Sequence, residues 1–411
     1  MARRLILEEV INNIREQPET TPILALTKTY GKLWPHCEEA RIEERKNEVS
    51  HHIAQSSHPQ PFTHKPQQNS LQTNPQEAPL PLKIAILDSS FNPPTKAHVQ
   101  LLLNSLTTSL YAPFTNKPVR IEFDACLLLY STKNADKVAK NGDAGPVDRV
   151  LMMEDVAKYL NEIAEGKVTK EKTSDELNSS KVEKGPREIS VDYKLSESRG
   201  NFDDNSNNET RSTANDAKFH SIQNIAVGIT NSSRFTEKSR ALLSYCSPTF
   251  SPSLYFILGF DTLIRLFSPR YYFDISSSLS FLFSNSYIIY AERDINDKIV
   301  ENEFWRGNKW AKEYADKIYR VEIDDDVKNV SSTEVRRIVS ELRAKEGAET
   351  GVKEERSERN NNSGNSNNVD IYDTNASSDK GCGFNNHVLR RHLMPLCIDS
   401  VTDFIIEEGL Y

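Results

Sequence analysis

Two short stretches of this chain combine residue types that handle phosphate. The first is Asp88-Ser89-Ser90-Phe91-Asn92-Pro93-Pro94-Thr95-Lys96-Ala97-His98. It follows an apolar, strand-like run from Leu82 to Leu87 and precedes a helix-like run from Val99 to Leu106. Thr95 and His98 therefore stand in the opening turn of a helix, where unpaired backbone N–H groups and the positive end of the macrodipole favour an anion. Taken singly, each reads as an ordinary polar residue of a capped helix. The coincidence of a strand end, small residues, two prolines and Thr-x-x-His singles the segment out. The second stretch is Val330-Ser331-Ser332-Thr333-Glu334-Val335-Arg336. Ser331 and Glu334 have the spacing of a capping box. Capping does not account for Arg336, a cation that the helix dipole disfavours by a few tenths to about 1 kcal/mol. An anion at the same helix end would offset that, and a guanidinium fork suits phosphate oxygens. The adjacent Arg337 reads as solvated.

The intervening sequence supplies elements that could position both stretches. Ile121–Tyr130, Ile222–Ile229, Leu254–Phe260 and Phe281–Tyr290 read as short buried strands. Asp148–Ile163 has helical spacing, with Val150, Met153, Val156, Ala157 and Leu160 on one face. Val335, Ile338, Val339 and Leu342 form the apolar stripe of the helix that Ser331 opens. Strands separated by helical segments indicate parallel βαβ units. The expected fold is α/β, a Rossmann-like parallel sheet with helices on both faces and long disordered insertions. Residues 1–81 read as an N-terminal helical segment, with one or two weak helices over 5–33, followed by a His/Gln/Pro-rich linker. The main domain spans 82–345 with a disordered insertion at about 165–219; 346–386 form a second, Asn/Ser-rich one. Residues 387–411 bring a last helix, about Ser400–Glu408, onto the core.

Composition narrows the function classes. The 411 residues carry a net charge of −8, with a mean hydropathy of −0.60 and a pI near 5.7. That balance gives no general reason to bind nucleic acid polymers or acidic membranes. Five cysteines, Cys37, Cys126, Cys246, Cys382 and Cys397, lie apart with no metal-ligand spacing and suit a reducing compartment. No apolar run approaches the roughly 20 residues that span a bilayer, and the N-terminus lacks the pattern of a secretory signal. The expectation is cytoplasmic or nuclear. Asn-x-Ser/Thr sequons at Asn208 and Asn231 read as chance. Oligomeric state leaves no trace in the sequence.

Ser-Phe-Asn-Pro-Pro-Thr-x-x-His resembles the GSFNPxTxxH signature of nicotinamide mononucleotide adenylyltransferases, and Val-Ser-Ser-Thr-x-x-Arg resembles their ISSTxxR signature. Leu258-Gly259-Phe260-Asp261 is similar to their GxD element, and the ending Val401…Phe404-Ile405-Ile406…Gly409-Leu410-Tyr411 to their C-terminal helix. Within the wider HxGH nucleotidyltransferase superfamily the pattern most resembles a divergent fungal, cytidylyltransferase-like branch. Together these motifs cover about 82–164, 220–345 and 387–411. There are two departures. The family has a glycine where Ser89 stands, and glycine lets the backbone approach a phosphate closely. The family's middle motif, SPxNDxYxK, is replaced by Ser131-Thr132-Lys133-Asn134-Ala135-Asp136-Lys137.

The resemblance implies adenylyl transfer from ATP to NMN, or to nicotinic acid mononucleotide, giving a dinucleotide and pyrophosphate. His98, Thr95 and Arg336 would be the catalytic groups. Ser89, Ser90, Phe91, Lys137, Gly259, Asp261, Ser332 and Thr333 would contact substrate, with Lys137 standing equally as a solvated lysine. Mg²⁺ would arrive with ATP rather than on a dedicated protein site. Trp305 and Trp310 could stack on a base but fit core packing better. Two alternatives remain open: another transferase or ATPase of the same fold, such as a cytidylyltransferase, and a nucleotide-binding scaffold with vestigial catalysis.

Overall fold

The computed structural model describes residues 1–18, 20–34, 80–133, 142–167, 223–247, 250–291, 297–345 and 386–411. In chain order the elements are α1 (Ala2–Glu16), β1 (Leu24–Thr29), β2 (Leu80–Asp88), α2 (Lys96–Thr107), β3 (Leu110–Tyr111), β4 (Pro118–Val119), β5 (Ala125–Ser131) and α3 (Pro146–Ala164). There follow β6 (Ile225–Thr230), α4 (Phe235–Cys246), β7 (Phe250–Gly259), α5 (Phe260–Leu266), α6 (Ile275–Asn285), β8 (Ser286–Ala291), α7 (Asp297–Gly307) and α8 (Lys309–Glu313). The last are β9 (Ile318–Arg320), α9 (Asp325–Lys328), α10 (332–345), α11 (Asn386–Leu393) and α12 (Asp399–Glu407).

Nine strands form one sheet in the order β1-β6-β5-β2-β7-β8-β9-β3-β4. The six from β6 to β9 run parallel, while β1, β3 and β4 pair antiparallel at the two edges. After β2, and after the short β3 and β4 that end up at the far edge, the chain builds β5 and β6 on one side of β2, then returns to build β7, β8 and β9 on the other. The strand order thus reverses between β2 and β7, the feature that opens a crevice at the carboxyl edge of a doubly wound sheet. Alternate residues of β2 feed opposite faces: Ala85 and Leu87 pack with α1, α2, α3, α10 and the C-terminal helices, and Ile84 and Ile86 with α4 to α8. The fold is the doubly wound α/β class expected from the sequence.

Several details depart from the sequence reading. Leu24–Thr29 forms an edge strand, so the N-terminal segment contributes one helix and one strand of the sheet itself. Phe281–Asn285 belongs to α6, which Asp274 caps by accepting the Ser276 and Ser277 N–H groups, so strand β8 starts only at Ser286. Leu279, Leu282 and Phe283 have the 3–4 spacing of a buried helix face, which an apolar run of this length hides. A helix not read from the sequence, α11, precedes the expected terminal one. The linker over 51–79, the insertion from 168 onward and most of 346–386 lie outside the described residues. Among the described residues, no helix is long and apolar enough to cross a membrane. Cys126, Cys246 and Cys397 are buried free thiols. Asn231 is fully buried, accepting from Ile23 N–H and donating to the Pro18 and Thr21 carbonyls, so its sequon is a structural hub.

Candidate functional site

The first motif leaves β2 at the strand-order reversal and turns into α2. Ser89 N–H donates to the Leu129 carbonyl of β5, holding the loop on the sheet edge. The left-handed residue of the turn is Phe91 (φ 45°), whose ring is fully buried; no glycine conformation is needed at Ser89. Thr95 caps α2, and His98 occupies the position of the capping-box acid: the Thr95 N–H donates to His98 Nδ1 at 3.2 Å, and the Thr95 hydroxyl lies 2.8 Å from the same nitrogen. Because Nδ1 accepts, the ring proton belongs on Nε2. Nε2 is 2.9 Å from Ser89 Oγ. The imidazole is therefore held in one tautomer, with its Nε2–H toward the Ser89 hydroxyl. Ser89, expected to loosen a backbone cradle, supplies a hydroxyl partner to that N–H.

The second motif clasps the first from behind. Ser331 caps α10 by accepting the Glu334 N–H at 3.2 Å. Glu334 does not complete the capping box: its carboxylate pairs with Arg337 at 2.6 Å, and Arg337 also pairs with Glu341, so Arg337 is an ion-paired residue rather than merely a solvated one. Ser332 Oγ donates to the Pro93 carbonyl at 2.7 Å, and the Arg336 guanidinium donates to the Asn92 carbonyl. Arg336 also reaches Thr333 Oγ1 (3.3 Å) and Asp143 Oδ1 (3.6 Å).

Asn92 ties these parts together. Its buried side chain donates to Asp143 Oδ1 at 2.7 Å and accepts from Ala144 N–H and the Tyr411 hydroxyl, each at 3.0 Å. Burial pushes the Tyr411 hydroxyl far up from its ordinary value, against the opposing pull of Arg149 and Arg336, so it stays a donor. Arg149, in the opening turn of α3, donates to the Ala144 carbonyl (2.9 Å) and the Ser90 carbonyl (3.4 Å) and lies 3.7 Å from Asp143. On the other side of the loop, Lys238 in the opening turn of α4 pairs with Asp88 at 2.6 Å.

Thr95, His98, Ser89, Ser90, Phe91, Ser332, Thr333 and Arg336 thus converge. Gly259 ends β7, the strand beside β2, and caps α5. Asp261 is exposed and accepts from Arg265 within its own helix at 2.6 Å. Lys137 lies outside the described residues. Trp305 is buried against Phe114, Tyr290 and Phe304, and Trp310 packs on the same core, so both are packing residues. Arg149, Lys238 and Asp143 went unnoticed in the sequence, and Asn92 stood there only as a member of the first stretch, with no role of its own. For Arg149 and Lys238 a signal was present, because each is a cation at a helix start, the feature that singled out Arg336. Among the described residues, no group of three or more His, Cys, Asp or Glu could hold a metal ion.

The polar motifs are gathered where doubly wound α/β proteins bind ligands, outside the carboxyl ends of the strands. No family model and no curated protein matches the chain. Among solved structures, it is similar to Plasmodium falciparum nicotinic acid mononucleotide adenylyltransferase complexed with APC, at 12% identity and a TM-score of 0.35, over 80% of this chain and 97% of that one. A likeness at that level carries no functional argument.

Proposed function

We propose that the protein is a nucleotidyltransferase that joins ATP to a pyridine mononucleotide, NMN in the first instance, forming NAD and pyrophosphate. The observation that carries this reading is His98 at the start of α2, beside the β2/β7 reversal, with Nδ1 accepting the Thr95 N–H and Nε2 lying 2.9 Å from Ser89 Oγ. In the reaction, a 5′-phosphate oxygen of the mononucleotide attacks the α-phosphorus of ATP. The bond from that phosphorus to the bridging oxygen breaks, and pyrophosphate leaves with the electron pair. Such transfer needs positioned charge more than covalent help. His98 Nε2–H exchanges the Ser89 hydroxyl for an α-phosphate oxygen and stabilises the charge that grows there. The N-terminus of α2 adds the positive end of its dipole, its Lys96 N–H being already given to the Leu396 carbonyl. Thr333 and Arg336, at the start of α10, take the β- and γ-phosphates, while Ser332 holds the Pro93 carbonyl and keeps the two motifs in register. Mg²⁺ carried by the triphosphate would lower its charge.

The test is direct. Purified protein is incubated with ATP, Mg²⁺ and either NMN or nicotinic acid mononucleotide, and dinucleotide and pyrophosphate are measured together. Stoichiometric appearance of both supports the reading, and the preferred mononucleotide fixes the acceptor. Failure to release pyrophosphate with either acceptor overturns it.

A further inference from the structure

Asp88 is the last residue of β2, immediately before the loop that carries Ser89 and His98. A carboxylate there would repel any anion entering the loop. Its side chain turns to the α4 face of the sheet and meets Lys238 Nζ at 2.6 Å, with the lysine 5% and the aspartate 11% exposed. The ammonium group also lies 4.9 Å from the centre of the Phe235 ring. Lys238 is a cation in the opening turn of α4, where the helix dipole opposes it. Burial of two charges is costly unless they are paired, and a hydrophobic pair would fill such a site at least as well. The pair therefore calls for a role beyond packing.

We infer that Lys238 is a positioning residue for anion binding in the Ser89–His98 loop, acting through Asp88. By neutralising that carboxylate it lets a phosphate approach Ser89 and His98, and it fixes the end of β2 from which the loop departs. The inference rests on the proposed phosphate site and names the residue that makes the site electrically compatible with its ligand. It gives the pair an asymmetry that a packing role lacks. Loss of the lysine exposes the phosphate to an unpaired carboxylate; loss of the carboxylate leaves an unpaired ammonium, which attracts it. Stability should fall in both cases, because each leaves a buried charge alone, but affinity should move in opposite directions.

The experiment measures ATP affinity by calorimetry and thermal stability by circular dichroism for the full chain and three variants. Lys238→Met is expected to bind ATP about tenfold or more weakly. Asp88→Asn should bind at least as tightly as the wild type, although it is less stable. The uncharged double variant, Lys238→Met with Asp88→Asn, should recover most of the stability and affinity lost in Lys238→Met, and it keeps the test open if that single variant fails to fold. Equal weakening in both single variants, or a double variant as weak as Lys238→Met, would overturn the inference while leaving the nucleotide site intact. A wild-type chain that binds no ATP would overturn both, and is distinguished by that control alone.

Discussion

Replacing His98 by Ala separates the chemical role of the imidazole from its structural one. Structurally, the change removes the acceptor of the Thr95 N–H, and Thr95 is only 1% exposed. An orphaned buried donor costs about 1–3 kcal/mol. The vacated ring space beside Phe91, whose centroid is 5.6 Å away, adds roughly 1 kcal/mol. The sum, about 2–4 kcal/mol, is a large part of a typical stability of 5–15 kcal/mol. Even from the low end, the chain would remain more than about four-fifths folded, so unfolding alone cannot reduce turnover by as much as twofold. Loss of a donor aimed at developing charge typically lowers kcat by about 10²–10³. The expected result is a hundredfold to thousandfold fall in kcat with less than tenfold change in ATP affinity. His98→Gln supplies the control: its side-chain oxygen can take the Thr95 N–H and restore the cap, recovering stability without recovering turnover. Dinucleotide formation should be followed at 25 °C, with a circular dichroism melt on the same samples. Turnover by His98→Ala within tenfold of wild type would refute the reasoning.

Other perturbations test the surrounding framework. Arg336→Lys keeps the charge but loses the fork that spans the Asn92 carbonyl and Thr333, so KM for ATP should rise about tenfold or more in steady-state kinetics. Asn92→Ala removes the link between the motif loop, residues 143–144 and Tyr411, and should cost about 2–4 kcal/mol in urea unfolding; a loss under 1 kcal/mol would deny it the role of a hub. Burial on α3, with Glu154 and Glu407 adding to it and Lys158 opposing, pushes the Asp155 carboxyl up to about 6. Its folded value lies above its unfolded one, so its favourable contribution is complete below the ordinary carboxylate range and is lost as pH rises through about 6. Asp155→Asn should therefore be more stable than wild type at pH 7.5, by about 1 kcal/mol once solvent screening is allowed for. The two melting curves should converge near pH 4.

The sheet was legible because its central strands are continuous apolar runs bounded by turns, as strands buried on both faces must be. Strand β1 was not: Leu24-Ala-Leu-Thr-Lys-Thr29 is short and half polar, and its identity depends on pairing with β6, far along the chain. At the site, the two motifs were visible because each opens a helix with unusual residue types. Their mutual contact was not, since nothing in the spacing of Ser332 shows that its hydroxyl will meet the Pro93 carbonyl. Arg149 and Lys238 were overlooked for a different reason. A cation at a helix start is opposed by that helix's own dipole wherever it lies; what the sequence hides is that the parallel sheet delivers the openings of α3, α4 and α10 to the same side.

The clasp around Asn92 also bears on how the protein reaches its native state. Its bonds join residues 239 (Ser332 to Pro93), 244 (Arg336 to Asn92) and 319 (Tyr411 to Asn92) positions apart. Contacts of such separation form late, after the costs of closing long loops have been met. Helical content should return early on dilution from denaturant, and ligand capture should lag behind it, because the loop has no fixed geometry until the last two helices dock. A chain lacking those helices would hold most of its sheet but lose both the Tyr411 bond to Asn92 and the Leu396 carbonyl that takes the Lys96 N–H, the two ties by which its C-terminal part fixes the loop.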